Sequence, residues 1–189
     1  LVKGDCVMKG YWRHRDASAK TLVDGWLHTG DMGYVDDDGF LFLNGRRGNM
    51  ICLKGGEKLH PEPIEDAIKN SPKISEAMVV GESCKNVYAC INVNPDEVEG
   101  LSETEILLAA QAEVAARTGH LAGFQKPKDI LILPAFQVDD GTLTPTFKIR
   151  RRRVWQRDGE EILVFLEACG EDSEALAGFS ERLGGMAAL

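Results

Sequence analysis

The chain has 189 residues, of which 43% are hydrophobic and 28% are charged, and its formal net charge at pH 7 is −8. This composition is that of a globular protein, and the negative charge argues against non-specific nucleic-acid binding. No apolar run approaches the roughly 20 residues of a membrane-spanning helix, and no basic, apolar leader opens the chain. We therefore expect a cytoplasmic protein without a transmembrane segment. Because the chain begins Leu-Val-Lys rather than with Met, we also expect a piece of a longer protein.

The residues that most often bind metals show no metal-site spacing. The five cysteines are odd in number and form no CxxC motif, so we predict reduced thiols and no metal site. The acidic run 36–38 could suggest calcium, but it lacks the further ligands of an EF-hand loop and is typical of a solvated hairpin end.

Residues 1–44 predict β-structure and turns, with a polar loop at 13–16. Val35 and the apolar run 40–43 flank an Asp-Gly turn, which indicates a β-hairpin. This hairpin would hold Asp31 at one end and Arg46 at the other.

Residues 45–158 alternate strands and helices, which predicts a small α+β domain with helices packed on a sheet. Pro61 opens a helix on which Ile64 and Ile68 share one face, and Ser102 with Glu105 predicts a capping box for another. The apolar runs that predict strands are 74–80, 87–93 and 130–133.

Residues 159–189 predict a helical tail. Apolar residues at 162, 165 and 166 indicate one short helix, and Leu176, Phe179 and Leu183 indicate a second, acidic one.

Polar or flexible residues stand at the ends of the predicted elements. The carboxylate of Asp31 can accept hydrogen bonds from both hydroxyls of a ribose, and Arg46 offers a fork of donors suited to phosphate or ribose oxygens. Gly55 and Gly56 allow positive φ or a close ligand approach, although the GxxxxGK(S/T) spacing of a phosphate loop is absent. Spacing alone leaves a non-functional interpretation open for each of them. Asp31 could cap a turn, Arg46 could be a solvated surface residue, and Gly55 with Gly56 could form a simple turn.

A basic run begins at Lys148 and extends through Arg150 to Arg153. In isolation it would indicate a basic surface or a nucleic-acid patch. The acidic total charge and the shortness of the run argue against nucleic acid.

Five segments of the chain form a set of motifs in a fixed order: Val7-Met8-Lys9-Gly10-Tyr11-Trp12, Gly25-Trp26-Leu27-His28-Thr29-Gly30-Asp31, Gly45-Arg46-Arg47, the block from Lys54-Gly55-Gly56 to Glu65, and Leu143-Thr144-Pro145-Thr146-Phe147-Lys148. In content and order they resemble the motifs of the adenylate-forming enzymes, the family of acyl-CoA synthetases, luciferases and peptide-synthetase adenylation domains. The Thr-Pro-Thr-Phe-Lys form of the last motif is most similar to the long-chain fatty acyl-CoA synthetases.

The resemblance implies a domain organisation. Residues 1–44 would be the β-rich end of a large N-terminal domain, and their apolar side chains would be exposed in this chain. Residues 45–158 would be the family's small C-terminal lid domain, and the tail 159–189 is barely covered.

The resemblance also implies roles for single residues. Asp31 matches the ribose-binding aspartate, Arg46 the adenylate-binding arginine and Lys148 the catalytic lysine. Gly56, preceded by Gly55, matches the loop that lines the pantetheine tunnel. Gly48 stands at the hinge, where the family usually has Lys or Asp, and a glycine leaves the two end states less well defined. The arginines after Lys148 could help to hold the 3'-phosphate of CoA, and Glu65 would be structural.

The implied function is that of an ATP-dependent ligase. The full-length enzyme would use ATP and Mg²⁺ to join a long-chain fatty acid to AMP, with Lys148 stabilising charge at the α-phosphate. The lid would then swing so that CoA displaces AMP. The implied partners are these small molecules and the enzyme's own N-terminal domain, and peripheral membrane contact stays open. The fragment alone would be inactive.

Two alternative functions remain. The ligase could load a carrier protein instead of CoA, or the chain could be a non-catalytic nucleotide-binding or interaction module.

Overall fold

The computed structural model describes residues 1–178, and the chain divides into two compact units, residues 1–49 and residues 50 onward. Among the described residues, none of the helices has the length and apolar character that crossing a bilayer demands.

The first unit consists of one helix and two antiparallel strand pairs. The elements are α1 (Arg15–Thr21), β1 (Leu22–Val23), β2 (Trp26–Leu27), β3 (Asp31–Val35) and β4 (Leu41–Arg46). The strand β1 pairs with β2, and β3 pairs with β4 across the predicted Asp-Gly turn, so the hairpin prediction is confirmed.

Helix α1 begins within the polar loop predicted at 13–16 and continues to residue 21, so the prediction of only β-structure and turns for residues 1–44 is wrong for this segment. Its first turn carries Asp16 and its last turn carries Lys20, which is the charge placement that the helix dipole favours. The Ser18 hydroxyl donates to the carbonyl of His14 and accepts from the backbone N–H of Tyr11, at 2.8 Å in both cases. These local bonds and charges stabilise a seven-residue helix that has no buried face.

No residue from 1 to 49 is buried. Large apolar side chains are exposed along both strands of the β3–β4 hairpin, where Tyr34 stacks on Phe42 with ring centroids 5.3 Å apart. The expectation of exposed apolar surface in this part of the chain is confirmed.

The second unit is built on a three-stranded sheet. The strand β7 (Ile74–Val80) pairs antiparallel with β8 (Tyr88–Val93), and β8 pairs in parallel with β9 (Ile130–Ile132). The parallel pair requires a long crossover, which contains α3 (Glu103–Thr118). The strand predictions for this sheet are confirmed to within a residue.

Within its described residues, this unit also contains three longer helices and one small strand pair. The helix α2 (Pro61–Lys69) begins at the predicted proline, and the capping box of Ser102 and Glu105 opens α3 as predicted. The strand β5 (Ile51–Cys52) pairs with β6 (Lys58–Leu59), and α4 (Arg151–Ala168) is the longest helix described.

The sheet is buried on both faces. On β7, the side chains of Ala77 and Val79 lie in a core cluster with α2 and α3, whereas those of Met78 and Val80 lie in a second cluster with α4. This alternation follows from the period of two in a strand. Because both faces are covered, the strands read as continuous apolar runs rather than alternating ones.

Helix α4 crosses the position where the sequence predicts the tail to begin. It runs without a break from residue 151 to 168, and Ile162 and Leu166 have no exposed surface. The predicted short helix at 162–166 is therefore the second half of a core helix. Residues 173–178 are helical, and the rest of the predicted acidic helix, with Phe179 and Leu183, lies outside the described residues.

Candidate functional site

Asp31 and Arg46 lie opposite each other at the open end of the β3–β4 hairpin. They are register partners, and the Nε of Arg46 is 3.2 Å from Oδ1 of Asp31. The expectation that the hairpin holds them at different ends is wrong, because antiparallel pairing brings the first residue of β3 beside the last residue of β4. An acceptor and a donor fork thus stand side by side, and both remain partly exposed.

Local turns fix the Asp31 backbone. Its N–H donates to the hydroxyl of Thr29 at 3.1 Å, and the N–H of Arg47 donates to the carbonyl of Gly30 at 2.9 Å. The Thr-Gly-Asp run therefore forms a turn that is tied to the end of β4.

Gly48 lies in a 3₁₀ turn over Arg47–Asn49. Its φ is outside the left-handed region, and a Cβ built at this position would meet nothing within 4 Å. The observed backbone therefore accommodates a side chain here.

Gly55 and Gly56 form the turn between β5 and β6. The N–H of Gly56 donates to the carbonyl of Leu53 at 2.9 Å, and the N–H of Leu53 donates to the carbonyl of Glu57 at the same distance. Gly56 has a φ of 92°, which disfavours any residue with a side chain. The space around it is open, with nothing within 4 Å of a built Cβ.

Lys148 ends a tight loop on the second unit, residues 144–148, which we call the Lys148 loop. The N–H of Thr144 donates to the carbonyl of Lys148 at 2.8 Å, while the N–H of Lys148 donates to the Thr144 hydroxyl at 3.0 Å. Phe147 is 69% exposed and has a φ of 57°. A bulky residue held in this conformation is strained, and such strain is typical of functional loops.

The ammonium of Lys148 is available to a ligand. The residue is exposed, and within residues 1–178 it takes part in none of the ion pairs. A lysine buried in a structural ion pair would have excluded the role that the resemblance implies.

The chain leading into the Lys148 loop is tied to α4 by Asp140 and Arg157. Asp140 accepts from the N–H and hydroxyl of Thr142 at 2.8 and 2.6 Å and from Arg157 at 2.6 Å. The hydrogen bonds from Thr142, supported by the guanidinium of Arg157, lower the pKa of Asp140 to about 2. Arg157 also donates to the carbonyls of Pro134 and Ala135.

Arg151 fixes the chain on the other side of the Lys148 loop. Its guanidinium donates to the carbonyl of Val79 at 2.8 Å and to the carboxylate of Glu65, which also accepts from the N–H of Val79 at 2.6 Å. Burial raises the pKa of Glu65, and the charge of Arg151 opposes this shift. The structural reading of Glu65 is confirmed, whereas the expectation that the arginines after Lys148 face CoA is wrong for Arg151.

Sequence reasoning missed several contacts of these loops. Arg157, Glu171 and Asp172 bind groups that are distant in the sequence, and no periodicity or short motif marks such pairs. The basic run and Gly55–Gly56 were visible as motifs, but their anchors were not.

A family model described as "AMP-binding enzyme C-terminal domain" matches residues 48–163. The long-chain-fatty-acid–CoA ligase FadD15 of Mycobacterium tuberculosis is 35% identical over 179 residues, which cover 86% of this chain and 30% of that protein. The indoleacetate–CoA ligase of Aromatoleum aromaticum is 36% identical over 159 residues, which cover 82% of this chain and 28% of that protein. The 2-succinylbenzoate–CoA ligase of Bacillus cytotoxicus is 51% identical over 83 residues, which cover 44% of this chain and 17% of that protein. The chain thus spans less than a third of the length of these relatives.

Two solved structures show the same fold. The A domain of carboxylic acid reductase from Segniliparus rugosus, in complex with AMP and a carboxylic acid, matches with a TM-score of 0.79 and 22% identity over 88% of this chain and 27% of that chain. The o-succinylbenzoate CoA synthetase of Bacillus subtilis, in complex with AMP, matches with a TM-score of 0.58 and 27% identity. This match covers 79% of this chain and 28% of that chain. The predicted α+β lid-type fold is confirmed by these matches.

Proposed function

The chain belongs to the adenylate-forming enzymes, as a member of their AMP-binding enzyme C-terminal domain family, and we propose that it is the lid portion of an ATP-dependent acid–CoA ligase. The CoA ligases among its relatives support the reaction class. Since the chain spans only part of their length, the complete reaction belongs to a longer protein.

A long-chain fatty acid is the proposed acid. The relative named for this substrate matches 86% of the chain, and the Thr-Pro-Thr-Phe-Lys motif resembles the same branch. Other relatives are named for succinylbenzoate and indoleacetate, so carboxylic acids in general are the wider substrate class.

The exposed Lys148 carries this proposal. In the adenylation step, an oxygen of the fatty carboxylate attacks the α-phosphorus of ATP, and the bond from that phosphorus to the pyrophosphate oxygen breaks. Negative charge on the α-phosphate oxygens grows in the transition state, and the ammonium of Lys148 stabilises it. An exposed lysine on a loop anchored by Arg151 and Arg157 suits this task, because its position is set by the packed core behind it.

The proposed nucleotide contacts are Asp31, through the ribose hydroxyls, and Arg46. Their position side by side at one hairpin end supports a joint role. Among the described residues, no group of three His, Cys, Asp or Glu side chains is placed to hold a metal. In the proposed reaction, Mg²⁺ enters bound to ATP.

The second half-reaction forms the thioester. The thiol of CoA gives up its proton to solvent and its sulfur attacks the acyl carbon of acyl-AMP, while the bond from that carbon to the phosphate oxygen breaks and AMP leaves. We assign Gly55 and Gly56 to the path of the pantetheine arm. The open space at Gly56 supports this assignment. In the same scheme, Gly48 is the hinge about which the lid turns.

Replacing Lys148 by Ala in the full-length enzyme tests the adenylation role. We expect acyl-AMP formation to fall about 100-fold or more, the loss typical of removing one charge-stabilising donor. Thioester formation from supplied acyl-AMP should change little. Product analysis by mass spectrometry measures both steps.

Lys128→Ala is the matched control, since Lys128 is another exposed lysine of the second unit. Unchanged adenylation in Lys148→Ala would contradict the proposal and favour a non-catalytic nucleotide-binding or interaction module. Acyl transfer to a carrier protein but not to CoA would favour the carrier-loading ligase.

A further inference from the structure

The chain that follows α4 folds back onto the second unit. We call residues 169–178 the C-terminal strap. It turns at Gly170, which has a φ of 84°, and is helical from residue 173. The strap lies beyond residue 163, where the match to the family model ends.

Glu171 anchors the strap in the second unit. The residue is only 5% exposed, and its carboxylate accepts from the Tyr88 hydroxyl at 2.7 Å and from the N–H of Lys85 at 2.8 Å. Burial raises the pKa of Tyr88, so the hydroxyl keeps its proton and remains a donor. Ala175 is also buried, in the core cluster that contains α4.

Asp172 joins the strap to the turn formed by Gly55 and Gly56, which we call the glycine turn. Its Oδ2 is 2.5 Å from Nζ of Lys54, the residue directly before Gly55 and Gly56. Its Oδ1 accepts from the N–H of Ala175 at 3.0 Å, as an N-cap does at the start of a helix. One carboxylate therefore starts the strap helix and holds Lys54.

Two backbone hydrogen bonds close the glycine turn, one between Gly56 and Leu53 and one between Leu53 and Glu57, but the space around Gly56 is open. A Cβ at Gly56 would meet no atom within 4 Å, and glycine itself restricts the backbone little. The position of the turn therefore depends on the residues beside it. Lys54 is held twice, by its N–H, which donates to the carbonyl of Cys84 at 2.8 Å, and by its ammonium.

We propose that Asp172 is a positioning residue: through Lys54 it holds Gly55 and Gly56 in the place that the thioester-forming step requires. This inference rests on the proposed function of the glycine turn. It gives the strap a role in CoA use and none in adenylation.

Hydrogen exchange of the 189-residue chain tests the contact independently of catalysis. In Asp172→Asn, the amide of Gly56 should exchange about two- to fivefold faster, as expected for the loss of one exposed ion pair. Glu174→Gln is the matched control, because Glu174 is 91% exposed and its carboxylate lies 3.8 Å from the same ammonium. Lys54→Met should reproduce the effect of Asp172→Asn, and combining the two should add little. Unchanged amides in β8 would show that the variants are folded.

Kinetics of the full-length enzyme test the role. Asp172→Asn should lower kcat/KM for CoA about two- to fivefold and leave adenylation unchanged, and Asp172→Glu should restore part of the loss. If Asp172→Asn leaves either Gly56 exchange or CoA kinetics unaltered, or lowers adenylation equally, the inference is wrong. Unchanged adenylation in Lys148→Ala, together with faster Gly56 exchange in Asp172→Asn, would overturn the proposed function and leave the positioning contact standing.

Discussion

At the residue scale, Gly48 and Gly56 differ in what their backbone demands. Gly56 has positive φ, whereas Gly48 does not and has open space for a side chain. The two glycines therefore serve different purposes. At Gly56 the positive φ favours glycine, and at Gly48 the described conformation does not.

Alanine at each position separates the two cases. Gly48→Ala should raise the free energy of unfolding by about 0.4–1 kcal/mol, because it restricts the unfolded chain without strain in the folded one. Gly56→Ala should lower it by about 1–2 kcal/mol, because a Cβ disfavours left-handed φ. Because the two glycines lie in different units, hydrogen exchange at increasing urea concentrations, followed within residues 1–49 for Gly48→Ala and within the second unit for Gly56→Ala, measures both effects. A loss of stability in Gly48→Ala would show that glycine is needed there after all.

At the scale of elements, the Glu65–Arg151 pair joins α2, β7 and α4. Both side chains are largely buried, and the same carboxylate binds the backbone of Val79. This contact fixes the first turn of α4, three residues after Lys148. The start of the helix and the position of the Lys148 loop therefore depend on this ion pair, together with the contact between Asp140 and Arg157.

Removing one partner of this pair should be costly. Arg151→Met leaves a buried carboxylate without its countercharge, and we expect unfolding free energy to fall by about 3–5 kcal/mol near neutral pH. Because burial already raises the pKa of Glu65, the variant should gain stability relative to the native chain as pH falls and this carboxylate takes up a proton.

Adding Glu65→Gln to Arg151→Met is the control for that experiment. An uncharged amide costs less to bury, so the double variant should recover part of the loss and depend less on pH. Urea unfolding at several pH values measures these differences. Equal losses in the single and double variants at all pH values would contradict the account.

The sequence predicted the elements that are marked by local signals. The apolar runs of β7, β8 and β9, the proline of α2 and the capping box of α3 are such signals, and those elements lie where they were predicted. Helix α4 was not predicted in full, because its first turn is basic and Gly159 interrupts its pattern. A Cβ at Gly159 would lie 3.0 Å from the Trp155 ring, so this glycine allows close packing within the helix.

The candidate site was predictable only as separate motifs. Resemblance identified Asp31, Arg46, Gly56 and Lys148, and their roles stay predictions. The anchors around them join residues far apart in the chain, as Lys54 and Asp172 do. Such pairs depend on the tertiary fold, which no local pattern encodes.

At the scale of the whole molecule, the two units differ in how much they bury. Residues 1–49 contain no buried residue, whereas the second unit has core clusters on both faces of its sheet. Resistance to opening depends largely on buried apolar contacts. We infer that the two units differ in stability within the isolated chain.

Limited proteolysis of the 189-residue chain should therefore cut first within residues 1–49. Mass spectrometry of the early fragments locates the cuts, and hydrogen exchange should show protection in β7 and β8 and little in β3 and β4. Early cleavage within the sheet of the second unit would contradict this expectation.

The contact between Asp31 and Arg46 has a consequence for affinity. The two groups already satisfy part of each other's hydrogen-bonding capacity. Under the proposed assignment, an incoming nucleoside competes with this internal partner, so its binding is an exchange of one set of bonds for another. The net gain in free energy is then smaller than a tally of new bonds suggests, and release of the spent nucleotide is correspondingly easier.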